Sequence, residues 1–573
     1  MAQWTCNFGS SPAGRKVYRN LVIAGEVEVL ELRLLQILKV YLATLEYISI
    51  FYAMAVLTGF RILLFSLLVS RFPLVLGDDV KVTVKGVTSI GTTDDNFICA
   101  TLDWWPEAKC YYGQCPWGKS GIMNLNLNNP ILSNAIKAFK ALRIRIGGSM
   151  QDQVLYKVGK TVKTCNNLEN STNGFFGFAD GCLTMERWDQ INALMADTGA
   201  LVTFGIDALY GRKRLTAYGL YDGHWDSINA RDFVNYTIFK GYKIDSWEFG
   251  HELCGSGVSA RVDARQYAED VIRLKKLLNK LYRRFKIQPK LLGPAGFYDE
   301  KWFSSFLQKS GPNVIDVVTH HIYNLGSGVN PNLIHYIRDP LFLDKVAQTY
   351  KDLETTLQIF GPWASAWVGE SGGAYNSGGK TVSHTFVNSF WYLDQLGMAS
   401  AFNNKVFCRQ TLVGGNYGLL NATTMVPNPD YYSALLWHRL MGKSVLSTTH
   451  NGSPYLRAYS HCSKMKPGIT ILLINMSNCT AFNVSVESDV NLYPLAQPEG
   501  VKLREEYHLT AKGGCIQSEV MLLNGFPLVL TERLDIPPMK PFLVDGSLPI
   551  KVAPDSIVFA TFRDFKAPAC AWA

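Results

Sequence analysis

The 573-residue sequence has twelve cysteines but no CxxC pair, and no cysteine–histidine cluster at zinc-ligand spacing. A zinc finger or ribbon is thereby excluded, and neither a metal nor a cofactor is expected. Charged residues are scarce, at 18% against 47% hydrophobic. That balance excludes a disordered chain, which needs high charge and little apolar surface. There is no internal repeat and no low-complexity linker, so a solenoid is not indicated. The carboxyl end, "KAPACAWA", lacks the hydrophobic tail of a lipid anchor. The net charge is +9, but the basic residues are spread along the chain, and no nucleic-acid partner is expected. The densest basic run, "KKLLNKLYRRFK" (275–286), reads as an amphipathic helix with Leu277, Leu278, Leu281 and Phe285 inward. Its sharper reading is a docking surface for an acidic polysaccharide.

Aromatic residues are plentiful, with 13 Trp and 27 Tyr. They serve either a large core or the stacking of sugar faces. Seven N-glycosylation sequons occur, at Asn170, Asn235, Asn421, Asn451, Asn475, Asn478 and Asn483. Three of them crowd into 475–483, which favours a secreted glycoprotein in which disulfides are permitted. Residues 1–53 fit no targeting pattern. From Met54, "MAVLTGFRILLFSLLVSRFPLVLG" has a basic Arg61, an apolar run from Ile62 to Val69, and the small Gly77 before two aspartates. That is a signal-peptide layout, and it places the expected physiological start at Met54. A signal anchor is the alternative, although Arg61 and Arg71 interrupt the apolar stretch.

From residue 97 short apolar runs alternate with helical stretches. The runs are "FICATLDWW", "LRIRIGGS", "ALVTFGIDAL", "IDSWEFG", "LLGPAGF", "VIDVVTHHIY", "SAWVGESGG" and "KVFCRQTLVGG". Eight strands alternating with helices predict an α/β fold, a (β/α)8 TIM barrel. Continuous apolar runs fit strands buried on both faces. After about residue 445 the helical pattern stops and short strand signals follow, as in an appended β-sandwich. The expected division is an extension with signal peptide over 1–77, a strand joining the sandwich within 78–96, the barrel over 97–445 and the sandwich over 446–573.

Barrel chemistry collects where strands end. The first strand ends in Asp103, Trp104 and Trp105, and the second in Gly147, Gly148 and Ser149. The fourth runs into His251 and Glu252, the sixth into His320, His321 and Tyr323, the seventh into Glu370, and the eighth into Arg409 and Gln410. Glu252 and Glu370 are thus expected to face each other across the mouth. Two carboxylates in that relation suit glycoside hydrolysis. A metal site would need His251, Glu252 and His320 or His321, and no short-range ligand pair supports it.

"WEFGHELCGSGV", "HHIYNLGSG", "WVGESGGAYNSGG" and "FCRQTLVGGNYGLL" followed by "PNPDYYSALLWHRLMG" resemble the plant heparanase-like proteins of glycoside hydrolase family seventy-nine. "CATLDWWPEAKCYYGQCPWGKS" and "EEYHLTAKGG" extend the likeness from about residue 80 to the end of the chain. The resemblance implies a retaining β-glucuronidase with Glu252 as proton donor, its pKa raised by burial and by Glu370, and Glu370 as nucleophile. It implies that Asp103 and the Gly148–Ser149 turn bind sugar hydroxyls, and that His321 and Tyr323 position Glu370. Tyr375 and Tyr417 are implied to line the pocket and meet the substrate carboxylate. The implied partner is a glucuronic-acid-containing polysaccharide or proteoglycan, such as heparan sulfate or arabinogalactan, or a small glucuronide. A secreted, single-chain monomer is expected, and the resemblance adds association with lysosomal or vacuolar membranes. One residue departs from the family pattern, which has Asn before the proton donor where this chain has His251. A protonated imidazole there favours ionised Glu252 and weakens it as an acid. A catalytically weakened carbohydrate-binding homologue is therefore the competing reading.

Overall fold

The computed structural model describes residues 77–571 except 173, 216–218, 466 and 490–502. The expected signal segment and the start at Met54 lie outside the described residues. Among the described residues no helix is long and apolar enough to cross a membrane.

Each of the eight apolar runs holds one strand. These are Ile98–Leu102, Arg143–Ile146, Leu201–Ile206, Ser246–Phe249, Lys290–Phe297, Val317–Ile322, Ser365–Ser371 and Phe407–Arg409. They pair in chain order, the eighth closes on the first, and every pairing is parallel. Every residue of the first, second, fourth and sixth strands is buried, because one face fills the barrel and the other meets helices. Cys99 and Cys408 occupy directly paired positions on the first and eighth strands and are disulfide-bonded across the closing seam.

The outer helices follow local rules. Ala264–Leu281 starts at Asp263, whose side chain accepts from the backbone N–H groups of Arg265 and Gln266. Its buried Tyr267, Val271, Leu274 and Leu278 recur at helical spacing. The helix stops at Leu281, so Phe285 is 48% exposed instead of inward as expected. The helix descends from the mouth, and the fifth strand begins again at Lys290 beside Ser246. Its basic terminus therefore lies at the amino end of the barrel, opposite Glu252.

The appended domain is one continuous sheet of eleven strands. The early strand Asp78–Thr92 joins it, antiparallel to Met441–His450 and parallel to Phe482–Ser488. Strand periodicity explains how it sits. Ile469, Ile471, Leu473, Val558 and Ala560 share a core with Val80, Val82 and Phe482, while the alternate Leu472, Ile474, Ile557 and Phe559 join the barrel core. Helix Asn388–Ala401 is buried almost all round because the sheet covers its outer side. Asp394 on that helix accepts from Arg457 and Tyr459 of the sheet.

Among the sequons, Asn170, Asn235, Asn451 and Asn478 are exposed, and Asn421 and Asn483 are half-buried. Asn475 is a correction to the expected set. It is fully buried, and its amide donates to the carbonyls of Thr480, Val552 and Ala553. A glycan on that nitrogen is incompatible with the fold.

Candidate active site

The fourth strand delivers the first carboxylate through a tight turn. After Ser246–Phe249 the chain passes through Gly250 at φ 71° and Glu252 at φ 52°, both left-handed. That region is unfavourable for a residue with a Cβ, and surrounding contacts must hold it. Here the His251 N–H donates to Asp152 Oδ2 at 2.8 Å, and the Glu252 N–H to the Ala295 carbonyl at 2.7 Å. The seventh strand, Ser365–Ser371, carries Glu370 near its end. Both carboxylates are buried. The structure brings an oxygen of each to within 4.8 Å of the other.

Three neighbours divide these oxygens. Tyr323 OH donates to Glu370 Oε1 at 2.7 Å. His321 was expected to position Glu370, but its Nδ1 lies 2.9 Å from Glu252 Oε1. The third neighbour, Arg145, was overlooked in the sequence. Its Nε donates to Glu248 Oε2 at 2.5 Å and its Nη1 to Glu370 Oε2 at 3.0 Å. Its Nη2 stands 3.3 Å from His251 Nδ1. A guanidinium only donates, so in the neutral ring this contact puts the imidazole proton on Nε2, which is 3.5 Å from Glu252 Oε2. A signal for Arg145 existed. In "RIRI" the period of two places Arg143 and Arg145 on the same face, and buried arginines need acidic partners. Arg143 bonds to Asp245 and Thr203.

The charges act on one another. Burial opposes a charged His251, but Glu252 and Glu370 outweigh it and lift the pKa to about 9, against the nearby Arg145. Burial also opposes charge on Glu252, yet His251 and then His321 hold its carboxyl well below the usual range. This reverses the expected upward shift of Glu252, because the two imidazoles outweigh burial and Glu370. Glu370 is likewise held low: burial works against it, and His321, His251 and Arg145 overcome that.

Asp103 is buried at the end of the first strand. Its Oδ1 accepts from the Trp104 N–H at 2.6 Å and its Oδ2 from Gln410 Nε2 at 2.8 Å. Burial, then Glu370, push its pKa up to about 7. Gly148 (φ 139°) packs so close that a Cβ would lie 2.4 Å from Asp103 Oδ1, so only glycine fits. Ser149 borders a small cleft with Phe175, Phe176, His251 and Glu252. Tyr417 is buried edge-on to Trp117, against the backbone of Gly372. Tyr375, in contrast, is 44% exposed, outside the buried cluster. His320 faces away, toward Asn404 and Tyr350, so the alternation of the sixth strand selects His321 for the site. Lys109, also passed over in the sequence, holds its ammonium 4.2 Å from the Trp105 ring centre and 3.9 Å from that of Tyr111.

Comparison with known proteins fits this geometry. The family model "Glycosyl hydrolase family 79, N-terminal domain" matches residues 79–397. Heparanase-like protein 1 of Arabidopsis thaliana is 52% identical over 513 residues, covering 86% of this chain and 94% of that protein. Baicalin-beta-D-glucuronidase of Scutellaria baicalensis is 40% identical over 498 residues, covering 85% and 92%. Among solved structures, a 4-O-alpha-L-rhamnosyl-beta-D-glucuronidase from Fusarium oxysporum shares the fold, with a TM-score of 0.58 at 14% identity over 84% of this chain and 100% of that one. With a closed barrel, two converging carboxylates and these relatives, the chain belongs to glycosyl hydrolase family 79 and is a glycoside hydrolase.

Proposed function

We propose that the protein is a retaining β-glucuronidase acting on glucuronic-acid-containing glycans, with Glu370 as nucleophile and Glu252 as acid/base. The observation that carries this reading is the approach of their oxygens to within 4.8 Å. Retaining glycosidases hold their carboxyl groups roughly 5–5.5 Å apart, whereas inverting ones leave about 6.5–9.5 Å for a water. Glu370 attacks the anomeric carbon as Glu252, taking a proton from the adjoining His251 imidazolium 3.5 Å away, passes it to the leaving oxygen. Glu252, now ionised, takes a proton from water, which breaks the glycosyl–Glu370 bond and regenerates the carboxylate. Arg145 and Tyr323 each hold one oxygen of Glu370 and favour its ionised, attacking form. We assign the sugar hydroxyls to Asp103 and Ser149, beside the two carboxylates.

The test is a chromogenic β-glucuronide with NMR of the first-formed anomer. We expect turnover that Glu370→Ala abolishes and a β-configured first product. An α product would refute retention. Exo cleavage of small glucuronides and endo cleavage of heparan sulfate or arabinogalactan chains use the same pair, and product sizes from a polysaccharide separate them. Four disulfides among the described residues and the exposed sequons favour a secreted protein. A mature terminus upstream of Met54 would exclude the signal-peptide reading.

A second reading is a weakened enzyme that mainly binds sugar. It rests on His251, which crowds Glu252 and faces Arg145 where the family pattern has an amide. His251→Asn should then raise kcat on the same glucuronide, and an unchanged or lower kcat sinks this reading.

A further inference from the structure

The same mouth has the donor set of a metal site. His251, Glu252, His321 and Glu370 each offer one ligand atom, and all four atoms lie within 4.8 Å of one another. Two imidazole nitrogens and two carboxylate oxygens suit zinc and its first-row neighbours. Calcium takes six to eight oxygens, and magnesium keeps several waters. All four residues are more than nine-tenths buried. Yet Nε2 of His251 and Nε2 of His321 have no hydrogen-bond partner. Buried imidazole nitrogens ordinarily do; that of His251, 3.5 Å from Glu252 Oε2, is the unmet one beside the carboxylates, while His321 turns its Nδ1 to Glu252.

Charge points the same way. Glu248, Glu252 and Glu370 bring three negative charges and Arg145 one positive charge, so two negative charges face the imidazoles. A divalent ion that displaces the proton carried by His251 cancels them. His251 completes the set, because with the family's Asn at this position only one imidazole would remain.

We propose that His251, Glu252, His321 and Glu370 bind one divalent transition-metal ion, zinc foremost, and that the bound ion blocks hydrolysis by engaging both carboxylates. Tetrahedral zinc, with bonds of about 2.0–2.2 Å, sets its donors roughly 3.3–3.6 Å apart. The widest pair here must therefore close by somewhat more than ~1 Å, which side-chain rotation supplies. Glu370 keeps its bonds to Arg145 and Tyr323, since each carboxylate oxygen has a second lone pair. Zinc on Nε2 of His251 leaves the ring proton to Nδ1, so that nitrogen gives up its contact with Arg145 Nη2 on binding.

The blocking half of the proposal rests on the glucuronidase reading, but the binding half does not. The test titrates the full-length protein with zinc chloride by calorimetry and with cobalt(II) by visible absorption, alongside glucuronide turnover. One ion per chain is expected, with affinity falling at least about tenfold in His251→Asn and, separately, in Glu252→Gln. Inhibition should follow the same zinc curve. No binding, or binding unchanged in both variants, overturns the site. Binding lost in the variants while zinc leaves turnover unaffected overturns the blocking role. A chain that binds zinc through these residues and hydrolyses no glucuronide keeps the metal site and refutes the glucuronidase reading instead.

Discussion

Arg145 is the strongest test of how the barrel mouth is held together. It is 1% exposed, and its partner Glu248 is fully buried. At an effective dielectric near 20, contacts of 2.5 and 3.0 Å to Glu248 and Glu370 are each worth about 6 kcal/mol of gross attraction. Desolvation of several kcal/mol per ion offsets most of that. The net value is therefore modest, but breaking the pair is not. Arg145→Met leaves Glu248 buried and unpaired, and Glu370 with Tyr323 alone on one oxygen. The expected loss is ~3–5 kcal/mol, a large part of a domain stability of roughly 5–15 kcal/mol. Urea unfolding followed by tryptophan fluorescence reads this loss, because Trp247 sits beside Glu248 on the same strand. Glu248→Gln should rescue part of it, because the double variant no longer buries a lone charge. A coupling of ~1–3 kcal/mol is expected. A loss below about 1 kcal/mol for Arg145→Met, or a double variant whose loss is the sum of the singles, would refute this account.

Tyr323→Phe removes a charge-assisted bond to Glu370 worth ~1.5–3 kcal/mol, so kcat/KM should fall roughly 10- to 100-fold with the fold intact. Burial holds the pKa of His438 down to about 3 and that of His461 down to about 4. Both must stay neutral when folded, so their contribution is complete above the unfolded value of ~6.5 and falls by ~1.4 kcal/mol each per pH unit below it, toward pH 4. Asp103, raised to about 7, and Asp152 and Asp207, also raised by burial, work in the opposite sense. The histidine part is read by difference: the melting temperature of a His461→Gln variant should fall less on acidification from pH 6.5 to 4.5 than that of the unaltered protein, and parallel profiles would contradict the assignment. Gly148→Ala should abolish sugar binding or folding, because its Cβ would collide with Asp103, whereas Ser149→Ala should weaken binding only. Peptide mass spectrometry should find Asn475 unmodified while Asn170, Asn235 and Asn451 carry glycans. A glycan at Asn475 would be inconsistent with its three buried amide bonds.

Much of this was legible in the sequence because barrel strands are buried on both faces. "VIDVVTHHIY" and "SAWVGESGG" stand out as apolar runs, and a carboxylate or imidazole at the end of such a run has no packing role. That is how Glu252, Glu370 and the sixth-strand histidines were found. Arg145 and Glu248 were missed because they sit inside strands, where an apolar run hides an inward charge. The direction of the Glu252 shift was also missed. It depends on two imidazoles, one adjacent in sequence and one 69 residues away, that only the closed barrel sets against the carboxylate.

The sequence by itself determined the order of strands and helices, an early strand within 78–96 and the two carboxylates, because periodicity and strand ends are local properties of the chain. The tertiary structure alone decided which histidine of the sixth strand faces the mouth, that His321 meets Glu252 and not Glu370, and that Asn475 is closed to modification. It also gathered His251, Glu252, His321 and Glu370 into one set of donors. Those outcomes depend on distances between strands far apart in the chain, and barrel closure sets those distances.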